Sequence, residues 1–455
     1  MYSKNAWNKY SGKKLENLFG FNEDYKNFIS KCKTERECVA YSVELAKKLG
    51  YQDLKEVTSV KAGDKLYVTN RGKNICIFQI GEDDLENGIN ILGAHIDSPR
   101  LDIKQNPVYE KNDFVLLDTH YYGGIVKYQW VALPLAIHGV VVKKDGEVIN
   151  VVIGEDDKDP VLVITDLLPH LAQEKMQKSG AKVIEGEDLD LTVSSIPLSD
   201  EEKDACKKNL LKLLNEKYNI EEEDFLSSEL EIVPAGKARD LGFDASMVLG
   251  YGHDDRVCAY TSMRAVLDAK MLKKTACAFL VDKEEVGSIG ATGAQSKWFE
   301  NVLAELLAKS GNFSDLRLRK MIENSKMLSS DVSAGYDPLY ASAFEAKNAA
   351  YLGKGLTFNK YTGSRGKSGC NDASAEFMAE IRKVMDENDV NFQTAELGRI
   401  DLGGGGTIAY IMGNMGLTVI DAGVPVLSMH APNEVVSKVD VFEAYKGYIA
   451  FIKNI

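Results

Sequence analysis

Beyond residue 240, short apolar runs alternate with long amphipathic stretches: TACAFLVD, SKWFENVLAELLAKS, SKMLSSDVS, ASAEFMAEIRKVMDEN, TIAYIMGNM, LTVIDAGVPVLSMH and VDVFEAYKGYIAFIKN. No other feature narrows the fold so far. A run of apolar residues with no polar alternation predicts a strand buried on both faces, and such strands separated by helices predict a largely parallel sheet covered on both sides. The same grammar opens the chain. Residues 35–49 (ERECVAYSVELAKKL) carry apolar residues at helical spacing and stop at Gly50, a helix C-cap, before the strand-like KLYVTN, NICIFQI and NGINILGAHID. Between 106 and 239 the texture changes to short β-like runs (FVLLDTHYYG, VALPLAIHGVVV, GEVINVVIG, PVLVITDL) and one acidic helical stretch, SDEEKDACKKNLLKLLNEKYNIEEEDF. The expected organisation is one α/β domain, residues 1–105 and 240–455, with a mixed, mostly parallel sheet sandwiched by helices. A mostly β domain, 106–239, is inserted into it.

Composition closes off several function classes. A net charge of −13 leaves no basic surplus to displace counterions from a polyanion, which argues against a nucleic-acid partner. The longest apolar run, VALPLAIHGVVV, is broken by Pro134 and His138 and falls short of the ~20 residues that cross a bilayer, so no membrane role is expected. The N-terminal MYSKNAWNKYSGKK has no apolar core of a signal peptide. Seven scattered cysteines without a CxxC pair suit a reducing cytoplasm and offer no thiolate zinc cluster.

In open α/β sheets, sites gather at the carboxyl ends of strands. Four such ends here carry acids or imidazoles: ILGAHIDSPRLD gives His95 and Asp97, FLVDKEEVGS gives Glu284 and Glu285, MLSSDVSAGYDP gives Asp331, and VPVLSMHAPNE gives His430. A fifth element, YGHDDRVCAYTSMRAV, sets Asp254 and Asp255 before a helix. Singly, each has a bland reading: a structural histidine, a solvated loop, a helix cap. Together, imidazoles and carboxylates without a thiolate suit zinc or a similar divalent ion in a hydrolytic site. Two ions need a bridging carboxylate, and the set has one to spare. Adjacent residues on a strand face opposite ways, so Glu284 and Glu285 can share a site only where the strand has ended. One can then hold metal while the other moves the proton of a metal-activated water.

GAHIDSPRLD, GHDDRVCAY, DKEEVGS, SSDVSAG and the late MH resemble, in that order and over nearly the whole chain, the motifs of the aminopeptidase I / aspartyl aminopeptidase family of cocatalytic dizinc metallopeptidases. The resemblance implies a zinc-exopeptidase-like fold and hydrolysis of the N-terminal peptide bond of peptides, with two divalent ions, zinc foremost and cobalt or manganese tolerated. It implies that Asp254 bridges the ions, ahead of a cis peptide, that His95 and Asp331 complete one shell, and that Glu285 and His430 complete the other. It makes Glu284 the general base and Asp97 the orienting partner of His95. A histidine in a similar PHL context reaches a neighbouring subunit's site in that family, which points to His170 as a substrate contact, with metal ligation as the alternative. His120, His138 and His253 are expected to be structural.

The glycine-rich pieces divide. YTGSRGKSG fails as a phosphate loop because Tyr361 stands where the motif needs glycine. RIDLGGGGTIAY leads towards a helix, and the amides of Gly404 and Gly405 could meet an anionic group; the stretch resembles the family's substrate-side loop. Lys360, Arg365 and Lys367 lie in the region where the resemblance implies a substrate-contacting lysine, and Lys360 is the candidate taken. Ala334 stands where aspartyl-specific members have histidine, which leaves acidic specificity open. The family further implies a tetrahedral dodecamer closed through the inserted domain. Two rival functions share these residues: a metal-dependent deacylase of N-acyl amino acids, and a non-catalytic assembly scaffold.

Overall fold

The computed structural model describes residues 4–363 and 365–455. They fold as two compact units: one takes the chain up to Asp97, Ala238–Met429 and Glu434–Ile455, the other Ser98–Lys237 and His430–Asn433.

The first unit is built on a nine-stranded sheet whose order places Asn74–Gln79, Ala276–Val281, Asn90–His95, Lys326–Ser329 and Thr418–Gly423 side by side. Asn90–His95 lies parallel to both Ala276–Val281 and Lys326–Ser329, and Lys326–Ser329 lies parallel to Thr418–Gly423. Pairings towards the edges include antiparallel ones, so the sheet is mixed with a parallel centre. Every residue of Ala276–Val281 is buried. Its side chains alternate between two cores: Ala276, Ala278 and Leu280 enter one, Cys277, Phe279 and Val281 the other. The first core is closed by helices Gly12–Lys31, Glu35–Lys48, His253–Asp268, Ala375–Glu387 and Lys438–Asn454. Trp298–Lys309, Asp315–Glu323 and Ile408–Asn414 cover the second. Burying each large apolar side chain contributes about 1.5–3 kcal/mol, which is why these uninterrupted apolar runs occupy the centre of the sheet.

Glu35–Lys48 is fixed at its start by a capping box between Thr34 and Glu37, and Gly50, at φ +82°, ends it as expected. A second, five-stranded sheet in this unit joins Arg239–Leu241, Met247–Gly250, Glu434–Ser437, Pro425–Leu427 and Ser333–Ala334. The stretch LTVIDAGVPVLSMH is thus two strands in two sheets.

The second unit carries a six-stranded antiparallel sheet in the order Val148–Ile153, Leu135–Val142, Ser228–Pro234, Arg100–Lys111, Phe114–Tyr122, Leu191–Ser194. Its one long helix is Ala205–Tyr218. PVLVITDL makes only isolated bridges, Leu135 with Leu162 and Val163 with Thr192.

Candidate metal centre

Three parallel neighbours end at one edge of the first unit's sheet. Val281 is in register with His95, and Ser329 with Gly93, so the chain leaves these strands within two residues of one level. Asp97 comes two residues after His95, and Asp331 two residues after Ser329. Past Val281 the backbone turns at Lys283 (φ +70°) into the short helical turn Glu284–Val286. That turn frees both glutamates from strand alternation, so both reach the site. Asp254 enters from the first turn of His253–Asp268, where Asp254 and Asp255 depart from helical geometry and their peptide bond is cis.

Ligand atoms of His95, Asp254 and Asp331 lie within 4.8 Å of one another, as do those of His95, Glu284 and Glu285. His95 Nδ1 meets the Asp97 carbonyl at 3.0 Å, which places a proton on that nitrogen and a lone pair on Nε2. Nε2 then faces Asp254 Oδ1 at 3.1 Å. Two acceptors at this separation need a proton or a cation between them. Nitrogen and oxygen ligands about 2.0–2.2 Å from a tetrahedral zinc sit about 3.3–3.6 Å apart, so a small opening of the pair would admit a shared ion. Glu284 Oε2 is 4.0 Å from the same Nε2.

Around this pair the backbone is pinned. Asp97 Oδ1 accepts the Glu284 N–H and Oδ2 the Glu285 N–H, each at 3.2 Å. Asp97 Oδ1 also lies 3.3 Å from His95 Nδ1. Asp255 Oδ2 accepts the His95 N–H at 3.3 Å, and Glu434 Oε2 accepts the Asp254 N–H at 3.0 Å. Asp255 and Glu434 received no role from the sequence. Glu434 starts a strand whose pairing with Met247–Gly250 puts it opposite Gly250.

The electrostatics suit a bound positive charge. Burial lowers the tendency of His95 to protonate, but bonding to Asp254 and Asp97 outweighs it and holds the pKa well above the usual imidazole value. Burial drives Asp331 well above the carboxylate range; His95 opposes this, while Glu284, Asp254 and Asp421 add to it. Asp255 is raised likewise by burial first and then by Asp331. Clustered carboxylates that resist ionisation together, with oxygen and imidazole donors and no thiolate, match hard or borderline divalent ions. The residues fit zinc.

Of the remaining predicted residues, Lys360, Gly404 and Gly405 belong to the first unit and His170 and His430 to the second. His430, at φ +66°, belongs to the 430–433 stretch of the second unit, where Nδ1 meets the Gly124 carbonyl at 2.9 Å and leaves the lone pair on Nε2. The chain that carries it runs from Leu427 back to Glu434. His170 is exposed on a turn of the second unit. Lys360 pairs with Asp372, which also holds Lys367 at 2.8 Å. The Gly405 N–H is bonded to the Thr362 carbonyl at 3.0 Å, and Gly404 adopts φ +109°. Ser364 of the YTGSRGKSG stretch lies outside the described residues. His253 is buried between Tyr25 Oη and the Val248 carbonyl, His138 contacts Glu155 at 3.1 Å, and His120 Nδ1 donates to the Tyr121 carbonyl.

Residues 28–452 match the family model described as aminopeptidase I zinc metalloprotease (M18). A curated probable M18 family aminopeptidase 1 of Clostridium acetobutylicum is 60% identical over 456 residues, 99% of this chain and 98% of that protein. A crystal structure of an M18-family aminopeptidase from Thermotoga maritima superposes with a TM-score of 0.97 at 44% identity, covering all of both chains. The S. cerevisiae mApe1 dodecamer has the same fold, with a TM-score of 0.76 at 22% identity over 96% of this chain and 97% of that one.

Proposed function

This chain belongs to the aminopeptidase I zinc metalloprotease (M18) family, and on the premise that it is therefore a metal-dependent aminopeptidase we propose how its residues divide the work. Asp254 would serve two divalent ions, with His95 and Asp331 as the further holders of one and Glu285 and His430 of the other. Zinc is the ion, and cobalt or manganese suits the same donors. When bound, the ions supply a water acidic enough to be deprotonated near neutral pH and an electrophile that polarises the scissile carbonyl.

Glu284 is the general base. It receives the proton of the attacking water and returns it to the leaving amine. Its anchoring supports this: Asp97 holds its backbone N–H at 3.2 Å, which leaves the Glu284 carboxylate to project from the turn towards the His95–Asp254 pair. Asp97 thereby orients both the imidazole and the base.

The observation that carries the reading is the 3.1 Å approach of His95 Nε2 to Asp254 Oδ1. The test is zinc analysis and turnover of Glu284→Gln. A base that is not needed for holding metal should leave zinc content near wild type while activity collapses. Unchanged turnover sinks the assignment. Aminoacyl-nitroanilides set against N-acyl amino acids separate aminopeptidase from deacylase chemistry, because only the former needs a free α-amine. Neither the deacylase nor the scaffold reading is favoured by the family membership.

For substrate contacts we propose Lys360, whose salt bridge to Asp372 would have to open, and the loop at Gly404 and Gly405, where Gly404 is the freer donor because the Gly405 N–H is committed to Thr362. His170, exposed in the second unit, is proposed to act in a neighbouring subunit's site, with the 106–239 insertion as the dimerisation element. The dodecamer of the yeast relative supports a closed twelve-subunit assembly with peptide substrates admitted to an inner chamber. A cytoplasmic location accords with seven unpaired cysteines, and no described helix is long and apolar enough to cross a membrane.

A further inference from the structure

We infer that Arg256 is the positioning residue for Asp254: it holds the chain that delivers this carboxylate to His95, and so governs metal retention without touching metal. The inference rests on Asp254 being a ligand.

Arg256 is fully buried. Its guanidinium is spent on backbone carbonyls: Nε donates to Gly252 at 3.1 Å, Nη2 to Tyr251 at 3.2 Å and Nη1 to Cys32 at 2.9 Å. The Tyr251 ring lies 4.8 Å from Cζ. Cys32 immediately follows the Gly12–Lys31 helix, so its carbonyl sits at the negative end of that helix, a favourable partner for a cation. One side chain therefore ties the loop directly before Asp254 to a helix more than 200 residues away in sequence. A charge buried for bonds to carbonyls fixes a chain path, whereas a charge buried against a carboxylate fixes a pair.

Two neighbours are shaped to this arrangement. Gly252 adopts φ +72°, and a Cβ there would come within 1.5 Å of Arg256 Nη2, so the guanidinium occupies the space of the missing side chain. His253 is anchored on the other side, with Nε2–H donating to the Val248 carbonyl at 3.2 Å and Nδ1 accepting from Tyr25 Oη at 2.5 Å. Residues 251–253 are thus clamped by two independent buried groups. Asp254 follows, with its N–H on Glu434 and its Oδ1 3.1 Å from His95. A lysine in place of Arg256 has donors on a single nitrogen and cannot span three carbonyls that three separate nitrogens now reach.

The test compares Arg256→Lys, Gly252→Ala and Asp254→Asn with wild type, measuring zinc per subunit after dialysis against graded chelator, kcat and KM in excess zinc, and far-UV circular dichroism of the metal-free proteins. Arg256→Lys and Gly252→Ala should fold and lose zinc at roughly tenfold lower chelator concentration, in line with the effect of removing an outer partner of a ligand. Their kcat should fall about tenfold with KM within twofold. A folded Arg256→Lys with wild-type zinc retention and kcat overturns the inference. If Arg256→Lys does not fold, Gly252→Ala decides by the same readings. If neither folds, the clamp is general architecture and the inference is overturned. Wild-type zinc retention in Asp254→Asn would instead remove the premise, the assignment of Asp254 as a ligand.

Discussion

Asp97 grips Glu284 by its backbone: Asp97 Oδ1 takes the Glu284 N–H at 3.2 Å, and its other oxygen takes the next amide in the same way. The carboxylate that the sequence marks as a partner for His95 therefore also fixes where the proposed base stands. Asp97→Asn keeps the shape but replaces one accepting oxygen with a donor facing an N–H. We expect kcat to fall about 10–100-fold and zinc retention to weaken together, the usual cost of losing such a partner. A loss of zinc with kcat intact at saturating metal would show that Asp97 serves His95 alone.

Glu284→Gln should cost about 10²–10⁴ in kcat, the range of a general acid–base group, with zinc content unchanged. Paired kinetics and metal analysis check this, and Glu285→Gln, altering a proposed ligand, should instead lower zinc content.

Stripping metal should abolish activity and lower the melting temperature, because ions that bind only the folded chain stabilise it by about 2.7 kcal/mol at 100 times their Kd. Calorimetry before and after chelation, followed by zinc addition, tests it. A melting temperature indifferent to metal would contradict a centre held by these buried carboxylates.

Asp440 offers a pH signature away from the metal. Its carboxyl accepts the Gly353 and Gly355 amides, both at 2.6 Å, but burial outweighs those bonds and pushes its pKa up to about 8. The folded state then holds the proton over a range where the unfolded chain, near 3.8, releases it. Its stabilising contribution is complete below about pH 4 and is lost as pH rises towards 8, with a slope of at most about 1.4 kcal/mol per pH unit. Denaturant midpoints of wild type relative to Asp440→Asn should therefore decline from pH 5 to pH 8. A flat or rising difference would refute it.

The central sheet was legible because strands buried on both faces must be apolar throughout, as ACAFLV and NILGAH are. The short strands Leu356–Asn359 and Phe392–Ala395 at one side of the sheet were not, since four residues show no period and LTFN and FQTA mix polar with apolar. Arg100–Lys111 escaped notice as a strand for a different reason: its charges and Pro107 interrupt any alternation, and the pairing with Phe114–Tyr122 shifts register between Ile103 and Val108. PVLVITDL shows the reverse error, an apolar run that makes only isolated bridges. At the site, residues that end apolar strands announced themselves by contrast with what precedes them. Asp255, Glu434 and Arg256 did not, because each acts on backbone atoms, and no residue pattern records which carbonyl or amide a side chain will meet.

The strand order of the nine-stranded sheet sets when during synthesis this centre can exist. Asn90–His95 lies between Ala276–Val281 and Lys326–Ser329, so His95 gains its first neighbour only when the chain has reached Val281 and its second only when it has reached Ser329. On the proposed ligand set, a nascent chain carrying only its early histidine and aspartate would be no trap for zinc, and metal loading would be a late step that reports completion of the fold.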